Sequence, residues 1–139
     1  MNANAIHAYR RQHGELQAAI GILSDLLRGP DAASRTFDIR VLLNDLSSKV
    51  SEHLTLESRD LYPRLLTHED ERIRRAAAEL LDEAGGLDAV CAHYFSAWSN
   101  VTAIAMRFPT FRAETRAVLG RLQERMRRED EVLAPVLEQ

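Results

Sequence analysis

The sequence predicts an all-α protein, an antiparallel up-down four-helix bundle, on three observations. Apolar residues recur at steps of three and four over long stretches, the apolar–polar alternation of strands is absent, and Gly and Pro gather at the few points that divide these stretches. At 139 residues, with 45 % hydrophobic and 28 % charged residues, the chain suits one soluble domain, residues 1–139, with a single core.

The first helix is expected over about residues 4 to 28, where Ile6, Tyr9, His13, Leu16, Ile20, Leu23 and Leu27 share one face before Gly29 and Pro30 end it. The second starts near Thr36, a candidate N-cap followed by Asp38 in the first turn, where its charge suits the helix dipole. Its stripe runs Ile39, Leu43, Leu46, Val50, His53, Glu57 and Leu61, and Pro63 should kink or close its last turn. A short extra helix is expected from Glu69 to Glu83, with Thr67 and Asp70 as a capping pair, before Gly85–Gly86 breaks or bends it.

The third long helix is expected over Leu87 to Phe108, its inner face drawn through Val90, His93, Ala97, Val101, Ile104 and Phe108. Pro109 and Thr110 mark the join to the last helix, whose face carries Phe111, Val118, Leu119, Leu122, Met126, Glu129, Leu133 and Val136. Four long amphipathic helices with short joins bury their apolar faces best as an antiparallel bundle.

Composition narrows the function. The single cysteine, Cys91, rules out an internal disulfide or a thiolate cage, and its apolar neighbours Val90 and Tyr94 predict a buried thiol. A net charge of −3 carries no field that recruits nucleic acid, and the pairs Arg10–Arg11, Arg74–Arg75 and Arg127–Arg128 are each flanked by acids, as on solvated helix faces. No apolar run is long enough to cross a bilayer and no signal-peptide pattern opens the chain, so no membrane partner and a cytoplasmic address are expected. There is no nucleophile elbow, Gly-rich phosphate loop or Cys/His pair, and the expectation is a protein that binds and is not an enzyme. No feature names a protein partner.

The chemistry sits in a repeated frame. His53, Glu57, Leu61 and Pro63 stand at offsets of four, eight and ten, and Arg125, Glu129, Leu133 and Pro135 repeat them seventy-two residues later. His13, His53 and His93 fall on the stripes of three helices and Glu57 and Glu129 on two, so a bundle would bring them to one axis. A buried carboxylate must be protonated, ion-paired or bound to a cation. Imidazole and carboxylate together suit iron, manganese or zinc, which makes His13, His53, Glu57, His93 and Glu129 the candidate metal ligands.

Arg125 breaks the frame. A guanidinium cannot lose its proton to become a ligand, and one positive charge 4 Å from a divalent ion costs on the order of 8 kcal/mol at an effective dielectric of about 20. Arg125 therefore swings out, leaving Met126 to fill the gap, or takes the place of a metal and bridges Glu57 and Glu129. The second case describes a metal-free regulatory or interaction bundle. A phosphotransfer bundle with an exposed histidine, His7 or His68, is a third class, opposed by the lack of a lysine three residues after any histidine.

These residues resemble a hemerythrin-like, HHE cation-binding domain over nearly the whole chain. The resemblance rests on His13, on the segment from His53 through Glu57 to Leu61, Tyr62 and Pro63, on His93, and on Glu129 to Pro135. It implies a four-helix bundle that typically holds two non-haem iron ions through histidines from all four helices and two bridging carboxylates. His13, His53 and His93 would then be terminal ligands and Glu57 and Glu129 bridges. Arg125 stands where the fourth helix should give a histidine, so the implied site is an incomplete di-iron site. The function implied is binding or sensing of dioxygen, nitric oxide or iron, with one or two ions as cofactor and a small diatomic molecule as partner.

Overall fold

A computed structural model describes residues 3–137, apart from the side chains of residues 3, 84, 136 and 137. It is an all-α antiparallel bundle of four long helical arms, with no strand among the described residues. Helix α1 (Ala3–Arg28) leads through a 3-10 turn (Ala32–Ser34) to α2 (Thr36–Leu56). A π-helical turn (Glu57–Leu61) joins α2 to the short α3 (Tyr62–Leu65). Helix α4 (Glu71–Ala97), the short α5 (Val101–Met106) and α6 (Phe108–Leu137) complete the chain. Packing of α1 on α2, α2 on α4, α4 on α6 and α6 on α1 closes a ring in chain order.

Pro63 acts earlier than expected. It has no N–H and its ring crowds the carbonyl four residues back, a conflict that a wider turn relieves. The Tyr62 N–H accordingly donates to the Glu57 carbonyl, five residues back, and the widened turn begins at Glu57 itself.

The break placed at Gly85–Gly86 is absent. The segments expected as a short helix and a third long helix are largely one helix, α4, held across the glycines by Leu80 and Leu87, both buried. Two glycines cost about 1 kcal/mol each relative to alanine, less than the anchoring leucines contribute at about 1.5–3 kcal/mol apiece. Asp70 caps α4, accepting from the Arg72 N–H at 2.9 Å, whereas the Thr67 hydroxyl turns back to the Pro63 carbonyl. The chain breaks at Trp98 instead, and Asn100 caps α5 by accepting from the Ala103 N–H.

The inner face of α4 is also rotated from the stripe the sequence suggested. Leu87, Cys91, Tyr94 and Trp98 are buried, while His93 and Ala97 are exposed and Val90 is half-buried. The aromatic side chains bring more apolar area than the alternative face and claim the core. Their polar tips are satisfied: Tyr94 and Thr115 hydroxyls meet at 2.7 Å, and the Trp98 indole N–H donates to Glu114 at 2.7 Å. Burial pushes the Cys91 thiol up to about 11, so it stays protonated in the core.

Arg10, Arg11, Arg75 and Arg127 are exposed as expected, with Arg11 3.1 Å from Glu15 and Arg75 2.8 Å from Glu71, whereas Arg74 and Arg128 are half-buried, Arg128 standing 3.1 Å from Glu83. No helix among the described residues is long and apolar enough to cross a membrane. On α6, Phe111, Val118, Leu119, Leu122, Met126, Glu129 and Leu133 all face inward as their spacing predicts, and the Val136 side chain lies outside the described residues.

Candidate metal centre

The core is two apolar clusters separated by a polar layer. One cluster contains Leu16, Val50, Leu87 and Met126, and the other Tyr9, Leu61, Leu80 and Leu133. Between them, α1 contributes Gln12 and His13, α2 contributes His53, the π-helical turn Glu57, and α6 Arg125 and Glu129, all buried. The i, i+4 spacing of His53 to Glu57 and of Arg125 to Glu129 puts each pair on one helix face, and tertiary packing carries both faces inward.

The imidazoles meet first. His13 Nε2 and His53 Nε2 lie 3.1 Å apart, and each is 3.5 Å from Glu129 Oε1. His13, His53 and Glu129 each offer an atom to a cluster whose members lie within 4.8 Å of one another. Glu57 stands beside it, Oε1 2.8 Å from His53 Nε2. On the outer side, His53 Nδ1 meets Gln12 Oε1 at 3.0 Å and His13 Nδ1 lies 3.0 Å from Asp130 Oδ1, which also accepts from the Tyr9 hydroxyl at 2.7 Å.

Arg125 points into the core, 8 % exposed, so neither sequence alternative describes it fully. Its guanidinium donates to the Leu80 carbonyl and to the Tyr62 hydroxyl. It reaches the carboxylates only as an ion pair, 3.8 Å to Glu57 Oε2 and 3.7 Å to Glu129 Oε1. Met126 is buried as well, so the gap it was expected to fill does not arise.

Glu129 is 1 % exposed, and neither of its oxygens receives a well-directed hydrogen bond; Glu57 Oε1 also lacks one. Burial alone would raise both carboxyls, but they divide one proton between them. Burial and the neighbouring Glu129 push Glu57 up to about 8. For Glu129 burial is outweighed by the Glu57 carboxyl and the imidazoles of His13 and His53 gathered close around it, which hold it well below the usual carboxylate range. Burial pulls His53 down, yet Glu129 and Glu57 overcome it and raise its pKa to about 9. The layer thus holds an anionic Glu129 facing positive charge, with protons standing where a cation would bind.

The donor set fits one cation. Two neutral-capable imidazole nitrogens and an orphaned buried carboxylate form a hard-to-borderline site, with a second carboxylate adjacent. A second cation there would stand against the guanidinium of Arg125, which lies 3.8 Å from Glu57 Oε2 and 3.7 Å from Glu129 Oε1.

Of the five sequence candidates, the structure brings together His13, His53, Glu57 and Glu129. His93 is not among them: it is exposed on α4, thirteen residues beyond Leu80, or about 20 Å along the helix axis. At the level of the site α4 supplies a backbone carbonyl, that of Leu80, in place of a histidine. His7 is exposed, as expected, and His68 accepts from the Asp70 N–H in the α3–α4 loop.

Sequence reasoning missed Gln12 and Asp130. Gln12 carries a visible signal, since it lies three residues after Tyr9 and four before Leu16, inside the buried stripe. Asp130 carries none, being a half-exposed acid on a charged helix.

No curated protein and no solved structure matches the chain. The model of one family, the hemerythrin HHE cation binding domain, matches residues 4–137. With that match over nearly the whole chain, on a four-helix bundle with imidazoles and carboxylates gathered in its core, the chain belongs to the hemerythrin HHE cation-binding domain family.

Proposed function

We propose that this domain binds a single transition-metal cation, iron in the first instance, through His13, His53 and Glu129, with Glu57 beside them. In this reading it binds or senses dioxygen, nitric oxide or the metal itself and does not turn over a substrate. One observation carries it: two imidazole Nε2 atoms 3.1 Å apart face a carboxylate that is 1 % exposed and receives no well-directed hydrogen bond. A buried carboxylate left in that state costs several kcal/mol unless a cation or proton compensates it.

Bound iron would supply open coordination positions and redox chemistry toward a small ligand. The chain's own residues do the rest. Glu129 and the two imidazoles hold the charge, Glu57 takes up or releases a proton next to His53, and the apolar clusters on both sides exclude water. Arg125 limits the site to one ion, since a second would sit against a fixed positive charge.

The metal-free reading, a regulatory bundle closed by Arg125, draws support from the 3.7 and 3.8 Å ion pairs. It is weakened by the direction of the guanidinium, whose hydrogen bonds go to Leu80 and Tyr62 and not to the carboxylates.

Elemental analysis of the protein as purified, with thermal melts against added iron(II) and zinc, tests the choice. At a hundredfold excess over Kd a native-state ligand adds about 2.7 kcal/mol, on the order of 10 °C in Tm for a chain of this size. About one metal per chain and such a rise are expected; no metal and no rise at millimolar excess would overturn the proposal.

A further inference from the structure

We infer that Gln12 is a positioning residue that sets which nitrogen of His53 is offered to a cation, and that Glu52 on the surface sets the direction of Gln12. The inference rests on the one-metal reading above, but its structural half stands without it.

The geometry runs inward from the surface. The Gln12 side-chain nitrogen donates to Glu52 Oε1 at 3.4 Å, and its oxygen lies 3.0 Å from His53 Nδ1. A carboxylate only accepts, so Glu52 draws the NH2 end of the amide toward itself and leaves the carbonyl end facing the imidazole. A carbonyl oxygen also only accepts, so His53 must carry its proton on Nδ1. Once the ring is neutral, its Nε2 lone pair is directed at His13, Glu57 and Glu129.

Gln12 is 5 % exposed, which keeps water from competing for that contact. Glu52 is about half exposed and is steadied by Arg11 at 3.6 Å. His13 has no equivalent device: its Nδ1 stands near Asp130 but donates no well-directed hydrogen bond to it. His53 is therefore the imidazole held in one tautomer, and a ligand held so binds metal more tightly, by about 10- to 100-fold on removal of such partners.

The test compares four proteins: the parent, Gln12→Leu, Glu52→Lys, and the double swap Gln12→Glu with Glu52→Gln. The swap restores a donor pointing at an acceptor and an acceptor pointing at His53. Nitrogen-15 NMR of the imidazoles reports the tautomer in the metal-free protein at about pH 10, where His53, raised to about 9, is neutral, and in the zinc-loaded protein, and zinc titration reports affinity. The parent and the swap should show an Nδ1-protonated His53. Lysine only donates, so Glu52→Lys should turn the amide round and move the proton to Nε2, and Gln12→Leu should leave a mixture.

Zinc affinity should fall 10- to 100-fold in Gln12→Leu and recover at least tenfold in the swap. Loss of affinity without recovery, or an unchanged His53 tautomer in both single variants, would overturn the inference. If the parent binds no zinc, the one-metal reading fails, and the tautomer measurements alone still decide whether Gln12 directs His53.

Discussion

The two copies of the sequence frame, His53–Pro63 and Arg125–Pro135, have the same spacing and reach the same layer of the core, yet they end in different chemistry. In the first copy the chain widens into a π-helical turn at Glu57, and that carboxylate sits 2.8 Å from the histidine one turn behind it. In the second copy the helix continues through Pro135, and Glu129 faces an arginine that spends its hydrogen bonds on Tyr62 and Leu80. Glu57 is the carboxylate with a local partner and a proton, and Glu129 the one left to the imidazoles. A repeated motif therefore does not imply a repeated role: the residue that opens the frame, His53 or Arg125, fixes how the carboxylate four residues on is partnered within its own helix.

The largest expected effect follows from that asymmetry. Glu129→Gln keeps the shape and removes the charge facing both imidazoles, and the metal-induced rise in Tm should vanish. Glu57→Gln should lower affinity by only about 10- to 100-fold, as for a group that supports the ligands. Melts of both variants with and without iron(II) or zinc measure the difference, and equal losses would show that the two frames contribute alike.

Arg125 gives the next effect, now in the metal-free protein. Arg125→Met removes the only cation paired with Glu57 and Glu129 among the described ion pairs to Lys or Arg and leaves the Tyr62 hydroxyl without its partner, and breaking such a buried pair costs about 3–5 kcal/mol. Urea denaturation without metal should show that loss. Arg125→His should instead raise the metal content from about one ion per chain toward two, read by elemental analysis. A parent that already holds two ions would break the contrast between the frames.

A smaller effect separates the frames by pH. His53 in the folded protein stands at about 9 against 6.5, so its stabilising contribution is complete below about pH 6.5 and is lost as pH rises through 9. Glu57, at about 8 against 4.5, also keeps its proton in the folded state, and stability falls as pH climbs through that window. Glu129 is depressed and acts oppositely, its contribution lost as pH falls below its unfolded value. Metal-free protein should therefore be most stable near about pH 4.5, where the gain from Glu129 and the loss from Glu57 balance, and lose a few kcal/mol by about pH 9. Metal binding displaces these protons, so the metal-dependent gain in stability should grow over the same range. Urea melts from pH 5 to 9, with zinc and with chelator, would show the two trends crossing apart.

What was legible in the sequence follows from which forces act locally. The α1, α2 and α6 stripes were readable because their apolar residues repeat with one period, so His13, His53, Glu57 and Glu129 could be placed on the inner faces. Helix α4 was not, because Gly85–Gly86 looks like a terminus in isolation, and only the burial of Leu80 and Leu87 on neighbouring helices keeps it helical. The direction of Arg125 was equally hidden, since its acceptors are a carbonyl forty-five residues away and a hydroxyl sixty-three residues away.

His93 gives the smallest effect and the sharpest check on the register of α4. The family resemblance made it a ligand, whereas the structure leaves it exposed, with Cys91 and Tyr94 turned inward on either side of it. Its replacement removes no buried contact, and an exposed helical position tolerates alanine within about 0.5 kcal/mol. His93→Ala should thus leave both metal stoichiometry and urea midpoint unchanged, while His53→Ala under the same conditions loses the metal. A loss of metal in His93→Ala would mean that α4 slides by more than three turns to bring that imidazole to the layer. Such a slide would carry Leu80 away from Arg125 and Trp98 away from Glu114, so the same variant reports on whether α6 is held by a carbonyl or by a histidine.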